Sequence, residues 1–202
     1  MGIKIALIGT HGTGKTTLMN RVVEEYDIFN DMQDAFSDAG ALYKDKLLEI
    51  LDKNNLQLYF YARHLYRVSI NDNFISDRSV LDALCYARYE YENGNLSTSM
   101  YDFLEEKSFE LLKEYDCLFW LRPEFDLVGE NKRPEDKFYQ KAIDEIFESY
   151  IYYKLDHSIL VKQLSGSVEK RFNEISSYID YKLKNDRLNE QQELFEGFGI
   201  SG

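Results

Sequence analysis

The stretch ALIGTHGTGKTTLM, residues 6–19, places three glycines and a lysine between an apolar run and a helical pattern. Its segment 9–16 matches the phosphate-binding pattern G-x-x-x-x-G-K-[ST] at every fixed position. Glycine allows positive φ angles and lets an anion approach backbone N–H groups without meeting a Cβ atom. A helix N-terminus directly after the loop adds further N–H donors. The sequence therefore predicts a loop that binds the phosphates of a nucleoside triphosphate.

The side chains of this loop complete the predicted nucleotide site. Lys15 carries a mobile positive charge that can reach the β- and γ-phosphates. The hydroxyl of Thr16 is placed to ligate Mg²⁺, which prefers oxygen ligands. The residues predicted to bind the nucleotide through this loop are Gly9, His11, Gly12, Thr13, Gly14, Lys15, Thr16 and Thr17.

A second stretch, FISDRSVLDALCYARY at residues 74–89, ends a short apolar run with an acid and a base. Asp77 falls at the carboxyl end of a predicted strand, where open parallel sheets place ligand-binding residues. Its carboxylate is suited to hold the Mg²⁺ shell or to accept a proton from an attacking hydroxyl. Arg78 is placed to contact the transferred phosphoryl group or its acceptor. These residues predict phosphoryl transfer, with Lys15, Asp77 and Arg78 as catalytic residues and Thr16 and Asp77 as metal ligands.

The segment RPEFDLVGENKRPED, which begins at Arg122, has the composition of a lid. It is polar, contains Gly129, and is bracketed by Arg122 and Arg133. Transfer to a small acceptor requires that water be excluded, because ATP would otherwise be hydrolysed. We therefore expect residues 122–135 to form a mobile lid that delivers arginine to the phosphates.

Strand-like and helix-like patterns alternate along the chain, which is typical of an α/β fold with a parallel sheet. An acidic stretch without a clear pattern, residues 27–38, follows the first helix. The predicted strands are residues 3–8, 73–77, 116–123 and 158–164. The predicted helices are residues 17–26, 40–53, 55–72, 79–94, 97–115 and 135–155, with a last helix from Gly166 that carries Phe172, Ile175, Ile179 and Leu183 on its inner face.

Length and composition limit the functional classes. The chain has 202 residues, of which 44% are hydrophobic and 30% charged, as in an ordinary globular domain. No apolar run approaches the ~18 residues of a membrane span, and the first predicted strand leaves no room for a signal peptide, so we expect a cytoplasmic protein. A net charge of −12 disfavours nucleic-acid binding. Cys85 and Cys117 lie in apolar stretches and are expected to be buried free thiols.

Taken together, the P-loop, SDRSVLDALCYA, the RPE…R segment and GSVEKRFNEI resemble the nucleoside and nucleotide kinase superfamily of P-loop proteins. The similarity is greatest to nicotinamide riboside kinase-like and thymidylate kinase-like branches, including small phage-type AAA ATPases, and extends to about residue 180. The resemblance implies a three-layer P-loop sandwich whose five-stranded parallel sheet has the order 2-3-1-4-5. It also implies ATP as the donor, a kinase domain over residues 1–184, and an acidic C-terminal tail over residues 185–202.

The resemblance assigns further site residues. It implies that Asp77 is the base or the magnesium partner and that Arg133 is the lid arginine with a catalytic role. Arg122 would also bind the nucleotide, and the loop at Gly166 and Ser167 would lie against adenine.

The stretch LQLYFYARHLYR, residues 56–67, is similar to the helix that carries a substrate-binding arginine in thymidylate kinases. Gln57, Arg63 and Arg67 are therefore expected to face the acceptor, together with Tyr86. Arg63 and Arg67 lie one helical turn apart, so both can contact one phosphate.

The identity of the acceptor stays open at this point. Family members often carry Glu-x-x-Arg after the second strand, whereas residues 22–62 contain no arginine. The first interpretation is transfer to a small nucleoside or nucleoside monophosphate. The alternatives are a kinase for a hydroxyl on DNA or RNA, at a 5′ end or a modified base, and an ATPase or GTPase switch that acts through a protein partner. Association into a homodimer is also left open.

Overall fold

The computed structural model describes residues 2–32, 51–124 and 134–197, with side chains over 2–30, 51–124 and 137–188. Most of the predicted helix 40–53 lies outside the described residues, as do Arg133 and most of the predicted lid.

Parallel strands at the centre of the chain confirm the predicted α/β class. The described residues contain five strands, which are β1 Lys4–Ile8, β2 Asn30–Met32, β3 Phe74–Asp77, β4 Cys117–Leu121 and β5 Val161–Leu164. They form one sheet in the order β2-β3-β1-β4-β5, the order that the resemblance implies, and every neighbouring pair is parallel. β1 therefore lies in the middle of the sheet, between β3, which ends at Asp77, and β4.

The short edge strand β2 lies inside the acidic stretch 27–38, for which the sequence shows no strand pattern. Its three residues pair with β3, and the N–H of Asn30 donates to the carbonyl oxygen of Asn73 at 3.3 Å. Pairing with a neighbour, not local propensity, therefore determines this strand.

The helices lie close to their predicted positions, because their apolar periodicity and capping residues are strong local signals. The last helix continues past residue 184, where the sequence analysis ends the kinase domain; the division into domain and tail stays a prediction. The helices are α1 Lys15–Glu25, α2 Lys53–Ile70, α3 Val80–Glu92, α4 Thr98–Leu112, α5 Pro134–Tyr153 and α6 Val168–Gly197.

Apolar side chains cover both faces of the sheet. Successive residues of a strand point to opposite faces, so Ile5 and Leu7 of β1 pack on one side while Ala6 and Ile8 pack on the other. The first side is covered by apolar residues of α1 and α6, and the second by those of α3, α4 and α5. The predicted inner residues Phe172, Ile175 and Ile179 of α6 are buried in this way, and Leu183 packs partly against them.

Two further expectations concern the core and membranes. Cys85 and Cys117 are free and buried, as expected, and burial raises the pKa of the Cys117 thiol to about 12.

Over the parts of the chain that the structure describes, each helix is too short or too polar to cross a bilayer.

Gly9, the first residue after β1, comes into close contact with β4. Its φ angle is 129°, and a Cβ atom built at this position would lie 2.2 Å from the carbonyl oxygen of Leu121. That oxygen belongs to the backbone of a buried strand, so it cannot move aside without disturbing the sheet. Only glycine fits between the end of β1 and the end of β4.

We expect Gly9→Ala to lower the free energy of unfolding by several kcal/mol, because backbone strain and overpacking add. Gly94→Ala is the matched control, since Gly94 also has a positive φ, 75°, but no atom within 4 Å of the added Cβ. The control should cost only about 1 kcal/mol. Urea denaturation of both variants measures the difference, and equal losses would show that the contact with Leu121 does not constrain Gly9.

Candidate active site

The P-loop joins β1 to α1 and holds its lysine inside the loop. Gly12 and Gly14 have positive φ angles of 74° and 88°, and α1 begins at Lys15. The Lys15 ammonium donates to the carbonyl oxygens of Gly9 at 2.8 Å and Thr10 at 2.5 Å. The side chain is only 5% exposed. Its positive charge therefore lies beside the N-terminus of α1, where the helix N–H groups favour an anion.

The two predicted metal ligands are in direct contact. The Thr16 hydroxyl, in the first turn of α1, donates a hydrogen bond to Oδ2 of Asp77 at the end of β3. A hydroxyl and a carboxylate beside a phosphate-binding loop fit Mg²⁺, which usually takes one or two protein oxygens and completes its shell with phosphates and water. Within the described residues, no group of three or more His, Cys, Asp or Glu side chains forms a metal cluster.

Arg78 turns back over α3 instead of continuing the direction of β3. Its φ angle is 77°, a left-handed conformation that is uncommon for a residue with a Cβ atom. The guanidinium Nη1 lies 3.5 Å from Oδ1 of Asp82 and 3.4 Å from the hydroxyl oxygen of Tyr86. The guanidinium carbon is also 5.3 Å from the centre of the Tyr86 ring. The side chain of Arg78 is thus held by two residues of α3.

Asp82 is a fully buried carboxylate that sequence analysis did not assign to the site. Its Oδ1 accepts from the N–H of Gly9 at 3.2 Å, and its Oδ2 accepts from the N–H of Ser79 at 2.9 Å. Burial raises the pKa of Asp82 to about 6, although the charges of Arg78 and Lys15 oppose this shift. The spacing of Ser79 and Asp82 at the start of α3 is a capping-box pattern, the only sequence signal that marks this residue.

Three predicted acceptor residues, Gln57, Arg63 and Arg67, lie on α2, whereas Tyr86 lies on α3 in contact with Arg78. Burial lowers the pKa of His64 to about 3, and the positive charges of Arg67, Arg78 and Arg63 act in the same direction. This buried imidazole ring is therefore neutral at neutral pH. Gln57 is 5% exposed, and its Oε1 atom accepts no hydrogen bond in the described part of the chain. His64 is a second residue that sequence analysis did not identify.

On the other side of the P-loop, Arg122 is held by α5. Its Nη2 lies 2.7 Å from Oδ2 of Asp144 and its Nη1 lies 3.1 Å from Oε1 of Glu148. Its guanidinium also lies over the Trp120 ring, 4.9 Å from the centroid. Arg122 therefore has carboxylate partners already, and a nucleotide contact would compete with them.

The loop predicted to face adenine is tied to the P-loop by a buried arginine. The N–H of Gly166 donates to Oε2 of Glu124 at 2.8 Å, and Nη2 of Arg171 lies 3.0 Å from the same oxygen. Nη1 of Arg171 donates to the carbonyl oxygen of Thr13 at 3.1 Å. Ser167 follows Gly166 at the surface and accepts from the N–H of Lys170. Arg171 was also not identified from sequence.

A cavity of about 430 Å³ opens beside this network, in the volume range of small-molecule sites. It reaches the P-loop through Gln140, whose Nε2 donates to the carbonyl oxygen of His11 at 2.7 Å. Tyr139 stacks on the His11 ring at 6.1 Å and also contacts Tyr86 at 6.0 Å. The residues that line the cavity include Arg122, Pro123, Glu124, Lys137, Gln140 and Asp144.

The structure thus brings together Lys15, Thr16, Asp77 and Arg78 at one edge of the sheet. The resulting class of fold is that of P-loop proteins with a five-stranded parallel sheet. A family model described as an AAA domain matches residues 4–171, and the chain belongs to that family. No curated protein sequence matches the chain.

Solved structures share the fold at low sequence identity. A deoxyadenosine kinase from M. mycoides, with products dCMP and a flexible dCDP bound, aligns with a TM-score of 0.64 and 18% identity, covering 89% of this chain and 99% of that one. The same kinase with bound dATP gives a TM-score of 0.61 and 17% identity over 88% and 99%. The NadR protein in complex with NR aligns with a TM-score of 0.60 and 16% identity, covering 89% of this chain and 51% of that chain. At these identities the similarity establishes the fold alone.

We expect Asp77→Asn to lower kcat for phosphoryl transfer by roughly a hundredfold or more, the scale of lost base catalysis. ATP affinity should change by only a few fold, because Lys15 and the loop N–H groups are untouched. Asp116→Asn is the control, since Asp116 lies at the amino ends of the strands, far from the P-loop, where it accepts from the N–H of Lys4. Steady-state kinetics and nucleotide binding measure both effects, and near-normal kcat in Asp77→Asn would assign Asp77 a structural role.

A second expectation concerns the pH dependence of stability. Because the folded-state pKa of Asp82 is about 6 and the unfolded value is near 4, the folded chain binds more protons between these values. The free energy of unfolding should therefore fall as the pH rises through this window. Between about pH 5 and about pH 7, the wild type should lose about 1 kcal/mol relative to Asp82→Asn. Parallel pH profiles in urea denaturation would contradict the raised pKa.

Proposed function

We propose that the protein is an ATP-dependent kinase that transfers the γ-phosphoryl group to a hydroxyl of a small nucleoside or nucleoside monophosphate. The observation that carries the proposal is the convergence of Lys15, the Thr16–Asp77 contact and Arg78 at the carboxyl edge of one parallel sheet. Membership in the AAA domain family and the kinase fold support the class of reaction. Open α/β sheets bind their ligands at this edge.

The donor side would act by position and charge. The Lys15 ammonium would leave its carbonyl partners in the loop for the β- and γ-phosphates, and the N–H groups at the start of α1 would bind the same anion. Mg²⁺, when bound by Thr16 and Asp77, would supply positive charge against the phosphate oxygens. Since little covalent chemistry falls to the protein in phosphoryl transfer, positioning and electrostatics account for most of the catalysis.

The acceptor hydroxyl would attack the γ-phosphorus in line with the bond to ADP. Its oxygen forms the new P–O bond, its proton passes to the Asp77 carboxylate, and the bond to the β-phosphate oxygen breaks so that ADP leaves. Arg78 would compensate charge on the transferred group. A general base within the buried edge of the sheet is consistent with the 5% exposure of Asp77.

The acceptor would lie between α2 and α3. Gln57 offers a buried amide oxygen that can accept from the edge of a base, and a ligand would satisfy its hydrogen-bonding capacity. Arg63 and Arg67 lie one turn apart on α2 and supply positive charge, enough for one phosphate and not for an extended strand. The net charge of −12 also disfavours a polymer.

A screen of acceptors tests the proposal. Nucleosides, nucleoside monophosphates, nicotinamide riboside and oligonucleotides are each incubated with ATP and Mg²⁺, and both ADP and the phosphorylated product are measured. We expect transfer to at least one nucleoside or monophosphate and none by Lys15→Ala, which lacks the phosphate-binding charge. Transfer to oligonucleotides alone would overturn the proposal in favour of a nucleic-acid kinase, and ADP without product would favour an ATPase.

Arg67→Ala separates the two acceptor classes. If the acceptor carries a phosphate, this variant should raise its KM by roughly tenfold or more while the KM for ATP changes little. If the acceptor is a nucleoside, one of Arg63→Ala and Arg67→Ala should leave its KM nearly unchanged.

A further inference from the structure

We propose that Asp82 is a positioning residue, which holds the guanidinium of Arg78 in place for phosphoryl transfer and links it to the P-loop. The inference rests on the proposed function. It assigns a role to a carboxylate that lies outside the donor, metal and acceptor residues described above.

The two oxygens of Asp82 have different partners. Oδ2 accepts from the N–H and, at 3.4 Å, from the hydroxyl of Ser79, which completes the N-terminal cap of α3. Oδ1 instead faces the active site, where it accepts from Gly9 N–H at 3.2 Å and lies 3.5 Å from Arg78 Nη1. Only Oδ2 is needed for capping, so the cap alone does not explain the contacts of Oδ1.

The burial of Asp82 is also more than a cap requires. A capping carboxylate is stabilising at the surface of a first turn, where water still solvates it. The Asp82 side chain is 1% exposed, and burial of a carboxylate is unfavourable unless nearby charges and donors compensate. Arg78 and the two N–H groups supply part of that compensation, which indicates that the carboxylate is retained for its effect on its partners.

Arg78 needs such a partner because its backbone and side chain are both constrained. The left-handed conformation costs about 1 kcal/mol or more for a residue other than glycine. In return, it directs the side chain back over α3, where Asp82 and Tyr86 contact the guanidinium. Without the Asp82 charge, the tip of this long side chain would lose its ionic partner on α3 and sample other rotamers more often.

The same carboxylate contacts the first glycine of the P-loop. Gly9 packs so closely against the carbonyl oxygen of Leu121 that no side chain fits there. Its position is therefore already well determined. Because Oδ1 of Asp82 contacts both the Gly9 N–H and the Arg78 guanidinium, it holds the guanidinium at a fixed position relative to the P-loop. The distance between the guanidinium and the bound phosphates would then be determined by one residue, and catalysis by positioned charge depends steeply on such distances.

A double-mutant cycle with Asp82→Asn and Arg78→Gln tests the inference. Asparagine can keep its oxygen toward Ser79, so the cap survives, while its amide nitrogen replaces the charged acceptor that faces Arg78 and the N–H of Gly9. We expect Asp82→Asn to lower kcat by roughly ten- to a hundredfold, with the KM for ATP within about threefold of wild type. In the Arg78→Gln background, Asp82→Asn should have almost no further effect on kcat.

Glu92→Gln is the matched control, because Glu92 lies on the same helix and pairs with Arg88 at 2.8 Å in an i,i+4 ion pair. Its kcat should equal that of the wild type. Circular dichroism and urea denaturation establish that each variant is folded, and Asp82→Ser replaces Asp82→Asn in the cycle if the asparagine variant does not fold.

Three outcomes would overturn the inference. These are an unchanged kcat in Asp82→Asn, an equal loss of kcat in the wild-type and Arg78→Gln backgrounds, and failure of both Asp82 variants to fold. The last two would make Asp82 a structural residue. A wild-type chain that transfers phosphate to no acceptor would instead overturn the proposed function and the inference with it, so the two failures are distinguishable.

Discussion

Parallel pairing of β1 with β3 determines where the charged groups of the site lie. Leu7 is in register with Asp77, so the P-loop that follows β1 and the acid that ends β3 emerge side by side. The N–H of Arg78 continues this pairing with a hydrogen bond of 2.9 Å to the carbonyl oxygen of Leu7. A register shift of one residue would turn Asp77 to the other face of the sheet and away from Thr16. The site therefore depends on main-chain pairing before it depends on any side chain.

The edge of the sheet carries several buried charges, each of which has an unfavourable desolvation energy. Lys15, Asp77, Asp82 and Arg171 are all at most 5% exposed. Lys15, Asp82 and Arg171 contact backbone groups or an opposite charge, and Asp77 accepts from the Thr16 hydroxyl. Burial of the apolar layers on both faces of the sheet offsets this unfavourable desolvation energy. A stable scaffold usually compensates a destabilising functional site in this way.

Local signals in the sequence were sufficient for much of this architecture. The P-loop has a fixed spacing, the helices have apolar periodicity with caps, and Asp77 follows an apolar run, so each could be predicted from neighbouring residues. The α/β class and the strand order were confirmed. The roles assigned to Lys15, Asp77, Arg78 and the acceptor residues stay predictions.

The residues that sequence analysis missed depend on contacts between distant segments. The spacing of Ser79 and Asp82 fits a capping box, but the direction of Oδ1 toward Gly9 depends on how α3 packs against β1. Arg171 meets Thr13 across a separation of 158 residues. His64 became notable only because α2 packs against α3 and α4, which buries its imidazole ring. The nucleotide contact of Arg122 stays a prediction, and its pairing with Asp144 depends on α5 lying beside β4.

The strand order also has a consequence for how the chain folds. The N–H of Ile3 bonds to a side chain 70 residues later, and that of Lys4 to one 112 residues later. β1 therefore gains its neighbours only after large loops have closed, and such non-local pairing is intrinsically slow. During synthesis, the glycine-rich segment leaves the ribosome long before the strands that flank it. The phosphate-binding loop is therefore made before the strands that position it, and it acquires its working geometry only after they pair with β1.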